Sequence, residues 1–177
     1  MKHESIETSI ITEEVSTTFD EIYRKPWFPK NEVHNIEKAN LLILPNYYDS
    51  EEKEVFFPET TNEFFDYIQK SNSEDDLICD IAISEENYYK IEKHSALIDI
   101  ATVLVTSGLL PVAINMISSF LYDLVKKHRR APKETSAKVT ILAEQTKNKK
   151  TIKINYEGPV EGIKEALNDT IAGYFKE

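Results

Sequence analysis

The chain is short of cysteine, glycine and arginine, and each shortage excludes a class of function. One cysteine in 177 residues, Cys79, rules out a disulfide framework and any zinc site made from several thiolates of this chain. Four glycines, Gly108, Gly158, Gly162 and Gly173, give little material for a phosphate-cradling loop, and neither G-x-G-x-x-G nor a Walker A pattern occurs. G-x-S-x-G and H-E-x-x-H are also missing. His3, His34, His94 and His128 lie far apart without metal-ligand spacing, so neither a metal nor a cofactor is expected. Glu74-Asp75-Asp76 and Glu85-Glu86 lack the spaced oxygens of a calcium loop and read as solvated acidic turns. Three arginines against 18 lysines, a net charge of -10 and no aromatic platform among the lysines disfavour nucleic acid as a partner. No basic segment leading into an apolar run opens the chain, so a secretory signal is not expected and the expected location is cytoplasmic.

At 41% hydrophobic and 10% aromatic, the chain can fill a core, and its length fits one domain with decorations. The charge is divided unevenly. Residues 1–95 hold 9 Lys+Arg and 22 Asp+Glu, whereas residues 96–177 hold 12 and 9. Ten basic residues fall between Lys126 and Lys153, against only Glu134 and Glu144. Between the acidic front and the basic back lie 23 consecutive uncharged residues, Ile100–Tyr122. Such asymmetry bears on partners rather than on fold.

Residues 1–38 read as an acidic extension. Within it, Lys25-Pro26-Trp27-Phe28-Pro29-Lys30 sets two aromatics between prolines, which favour extended backbone. Trp27 and Phe28 either cover the chain's own core or dock a partner protein, where Trp is a favoured anchor. Leu41–Leu44 reads as a strand buried on both faces. Thr60-Thr61-Asn62-Glu63 has the form of a capping box opening a helix that runs to about Ser71. Leu77–Ser84 reads as a second strand, parallel to the first, with Cys79, Ile81 and Ile83 on one face and Asp80 on the other. Ser84-Glu85-Glu86 reads as the start of a short helix. Cys79 is expected to be core; an enzyme using Asp80 and loop carboxylates is the weaker reading.

The apolar stretch is expected to be helical from Ser95, with a kink or hairpin at Gly108 and Pro111, and to end in Lys126-Lys127-His128-Arg129-Arg130. Twenty-three residues at about 1.5 Å each could span a bilayer. Thr102, Thr106, Ser107, Asn115, Ser118 and Ser119 dilute the hydrophobicity, however, and spanning would split one sheet across the membrane. A core helix is therefore expected, with a membrane-associated effector that uses the apolar helix 97–125 at the inner membrane as the alternative. Val139, Ile141 and Ala143, then Ile152, Ile154 and Tyr156, alternate as a β-hairpin. Ile163, Ala166, Leu167, Ile171 and Phe175 mark the apolar face of a last helix. The expected fold is α+β: one domain over 39–177, with a strand–helix–strand unit, the apolar helical segment 96–130, the hairpin and the last helix on one mixed sheet.

The pieces Leu41–Leu44, Phe64–Ile68, Ile78–Ile83, Leu97–Arg130, Val139–Tyr156 and Ile163–Phe175 follow one another in an order that resembles the effector-associated constant component family of bacterial conflict systems. Phe120-Leu121 and Arg129-Arg130 would correspond to that family's helix end. The 38-residue extension, the charged Tyr47–Glu54 loop and a helix without the family's usual Gly and Trp are departures. The resemblance implies a non-enzymatic adaptor or regulatory component that binds an effector protein encoded nearby. The expected partner-binding residues are Trp27, Phe28, Lys126, Lys127, Arg129 and Arg130; a second copy of the chain is a further expected partner.

Overall fold

A computed structural model describes residues 7–31, 36–71, 77–84, 88–91 and 97–174. Among them lie nine strands and four helices in the order β1 (Ser9–Val15), α1 (Phe19–Tyr23), β2 (Leu41–Leu44), β3 (Phe57–Pro58), α2 (Thr61–Ser71), β4 (Cys79–Ile81), β5 (Lys90–Ile91), β6 (Ile98–Asp99), β7 (Thr102–Thr106), α3 (Leu110–Lys127), β8 (Ser136–Gln145), β9 (Lys150–Pro159) and α4 (Ile163–Tyr174). The fold is α+β. The main sheet runs β1-β9-β8-β7-β2-β4, with β6 also paired to β8, while β3 and β5 form a separate two-stranded piece.

β2 is four consecutive apolar residues, all fully buried, and β4 lies parallel to it with Leu41 opposite Cys79. Full burial of each such side chain contributes about 1.5–3 kcal/mol. β8 and β9 form the hairpin, pairing Val139 with Tyr156, Ile141 with Ile154 and Ala143 with Ile152. These are the residues whose alternation marked the strands, and they share one face. The basic turn between the strands places Lys149 at φ 48.

The apolar stretch departs from expectation. Its break at Ser107-Gly108 separates a strand from a helix, not two helical pieces: Thr102–Thr106 is β7, antiparallel to β2 and parallel to β8. Thr102, Val103, Val105 and Thr106 are β-branched and suit a pleated strand better than a helix. A short 3-10 turn, Ser107–Leu109, leads into α3, with Pro111 in the helix's first turn, where its missing N–H costs nothing. Ser95 lies outside the described residues. Ser107–Lys127 is apolar and long enough to cross a membrane, yet 56% of its most apolar window is buried inside the protein. Nine residues of α3 join the hydrophobic core, among them Ile114, Ile117 and Leu121. Residues 97–125 thus comprise β6, β7, the 3-10 turn and most of α3 rather than one continuous helix.

The two faces of the sheet carry different cover. Thr12 of β1 is hydrogen-bonded to Tyr174 of α4, and α4, α3 and α2 pack side by side. Glu144 of β8 lies on the opposite face, level with Val15, and meets α1. Leu42 and Leu104 share Glu144's face by strand pairing, and Ile22, Trp27 and Phe28 belong to the same buried core as they do. Residues 7–31 are thus part of the domain and not a loose extension.

Candidate partner interface

Between the first turn of α2 and the last turn of α3 lies a cleft of about 440 Å³. Pro58, Ile98, Leu124 and Val125 give it apolar lining, Glu59, Glu63 and Asp99 bring carboxylates, and Lys90, His128 and Arg130 bring cations. A second groove of about 290 Å³ adjoins it through the shared Glu63 and Leu124 and runs between α2 and α3 past Tyr67, Phe120 and Lys127. The expected capping box makes other bonds at this wall. The Thr60 hydroxyl donates to the Asp99 carbonyl at 3.0 Å and the Thr61 hydroxyl to the Pro58 carbonyl at 2.7 Å, stitching α2 to β6 and to its own approach.

The end of α3 carries a local strain. The Arg130 amide donates to the Val125 carbonyl at 2.9 Å and the Arg129 amide to the Lys126 carbonyl at 3.0 Å, with Arg129 at φ 54. This is the Schellman closure of a helix, whose left-handed residue is ordinarily glycine. A side chain there costs roughly 1–2 kcal/mol. Lys126, Lys127, His128, Arg129 and Arg130 are all exposed and follow one another around this turn. Cations also suit the negative end of a helix, which accounts for part of the cluster but not for an arginine at the strained position. Of the residues marked in sequence, Arg130 lines the cleft, and Lys127 lines the adjoining groove 3.9 Å from Glu63.

An aromatic patch missed in sequence flanks the cleft. Three aromatic doublets, Tyr47-Tyr48, Phe56-Phe57 and Tyr88-Tyr89, each place one ring outward: Tyr47, Phe56 and Tyr89 are exposed, while Phe57 is fully buried. Phe56 and Tyr89 stand 6.2 Å apart on the outside, and Phe57 and Tyr88 stand 5.2 Å apart within. Asn46 and Lys90, which line the cleft, are their chain neighbours. Tyr47, the most exposed large apolar side chain among the described residues at 79%, also sits at positive φ. The doublets themselves were the available signal.

Other marked residues lie elsewhere. Trp27 is 4% exposed and Phe28 2%, so the structure presents neither to a partner; they cover the chain's own core. The Trp27 indole N–H donates to the Tyr48 carbonyl at 3.1 Å, and Lys25 pairs with Glu51 at 3.0 Å, tying this segment to the charged loop. The hairpin lysines meet the acidic front within one chain: Lys149 with Asp20 at 3.3 Å, Lys150 with Glu14 at 3.4 Å and Lys153 with Glu13 at 3.8 Å. Each exposed pair contributes at most about 1 kcal/mol.

Cys79 is buried, and burial, followed by the charge of Asp80, pushes its thiol pKa up, so it makes a poor nucleophile. Asp80 is half-buried; burial raises its pKa against the lowering bond from the Ile81 amide at 2.8 Å. No group of three or more metal-ligating side chains forms among the described residues. Glu74-Asp75-Asp76, Glu85-Glu86, His3, His34 and His94 lie outside them. No protein family, curated protein or solved structure matches the chain.

Proposed function

We propose that this protein is a non-enzymatic adaptor, acting in the cytoplasm, that binds an effector partner of a bacterial antiviral or conflict system. The observation that carries the binding role is the arginine held at the left-handed position of the α3 closure, beside a cleft with exposed aromatics on its other flank. Arg and Tyr are the side chains most used as interface anchors, and strain retained at a surface turn marks a side chain kept for use. The lining offers an apolar floor, carboxylates on the α2 and β6 side and cations on the α3 side, the make-up of a groove that holds a peptide segment of mixed charge. The role in a conflict system rests on the resemblance in the order of the other pieces, since Leu97–Arg130 opens with β6 and β7 before its helix.

The test is co-expression of the chain with the products of adjacent genes, followed by affinity capture of wild type and of Arg129→Ala/Arg130→Ala. Capture that the double substitution abolishes supports the reading. A protein that captures none of its neighbours' products contradicts it.

A further inference from the structure

β1 is the longer of the two outer strands of the main sheet, seven residues against three in β4. Every residue of Ser9–Val15 pairs with β9 on one side, and among the described residues nothing pairs with the other side. The strand lacks the usual guards of an open edge. It has no proline and no lysine, and its two charges, Glu13 and Glu14, are drawn to Lys153 and Lys150 of β9. Two exposed large side chains flank the same edge on opposite faces. Ile11 is 60% exposed on the face shared with Asn155 and Thr140; Tyr174, 51% exposed, stands over the other face through its hydrogen bond with Thr12.

We propose that two copies of this chain associate through β1, antiparallel about a two-fold axis at Ile11, joining their sheets into one. Backbone groups that point outward alternate along a strand, so a two-fold axis perpendicular to the sheet must fall on a residue. An axis at Glu13 sets two carboxylates opposite each other. An axis at Thr12 sets Ile10 and Ile11 against the other copy's glutamates. An axis at Ile11 pairs isoleucine with isoleucine, Ser9 with the other copy's Glu13, and Ile10 with its Thr12, so no like charges face each other. Tyr174 of each copy then lies beside the new strand pair on the helix-covered face. The contact is a single strand pair with two flanking side chains, so association is expected to be weak and concentration-dependent.

Sedimentation velocity of the full chain from about 5 to 500 µM tests this, because mass action makes weak association visible only across a wide concentration range. The mass should rise from the 20.4 kDa of one chain towards twice that value. Ile11→Glu, at an exposed position, should leave the melting temperature unchanged and weaken association at least about tenfold. Ile11→Cys, oxidised with glutathione disulfide, should give a covalent dimer, since the buried Cys79 does not compete. A mass that stays at one chain throughout, association unaffected by Ile11→Glu, or an Ile11→Cys chain that does not cross-link would each overturn the proposal.

Discussion

The amide of Phe19 donates to the Glu144 carboxylate at 2.8 Å, joining residues 125 positions apart. With the Thr18 hydroxyl accepting from the Glu21 amide at 3.2 Å, it satisfies two of the free amides that open α1. Glu144→Ala should therefore lower stability by about 1–2 kcal/mol. Glu144→Gln, which keeps an acceptor, should lose less than half as much. Urea titration with an unchanged slope reads both.

Trp27 behaves as core. Trp27→Ala should cost about 3–5 kcal/mol, because a large ring and its hydrogen bond are removed from a closed interior. Lys25→Ala, which removes a mostly buried stem, its bond to the Asp49 carbonyl and its pair with the exposed Glu51, should cost less, about 1–2 kcal/mol. Equal costs for the two substitutions, measured by chemical denaturation, would contradict this packing.

High pH should weaken the fold. Burial, helped by Glu37, Asp20 and Glu144, pushes Tyr23 up to about 12 from an ordinary value near 10. The unfolded chain then releases this proton first, so the contribution is intact below pH 10 and is lost as pH rises towards 12. Cys79 shifts in the same direction and adds to the loss from near pH 9, its ordinary value. Tyr23→Phe should hold its urea midpoint better than wild type between pH 10 and 11. In the native protein Cys79 should react with a thiol reagent only as fast as the chain opens.

Arg129→Gly should separate stability from binding. Glycine relieves the positive φ, so the melting temperature should rise, by about 0.5–1 kcal/mol of stability. Partner capture should fall in the same protein. A gain in stability with capture unchanged would make Arg129 merely a strained cap.

Periodicity made much of this fold legible. Val139–Ala143 and Ile152–Tyr156 alternate because the face they share is buried along the hairpin while the other carries Lys138, Thr140, Lys153 and Asn155, and their observed pairing follows the alternation. β7 was hidden because it is buried on both faces inside a continuous apolar stretch, where neither a period of two nor one of 3.6 shows. Its β-branched residues held the information. β1 was hidden for the opposite reason: an edge strand with Glu13 and Glu14 has no buried face to write an alternation. The basic turn after α3 was plain in the charge pattern. Its companions, Tyr47, Phe56, Tyr89 and the cleft, come together only through the β3–β5 pairing of distant segments, which local sequence does not encode.

The most direct measurement of the binding account is affinity capture of adjacent-gene products by three versions of the full chain: wild type, Arg129→Ala/Arg130→Ala, and Tyr89→Ala. The account predicts one neighbour-encoded protein with wild type, lost with the arginine pair and weakened by about tenfold or more with Tyr89→Ala, at unchanged melting temperatures. Capture that persists through both substitutions, or no neighbour captured by wild type, would contradict it.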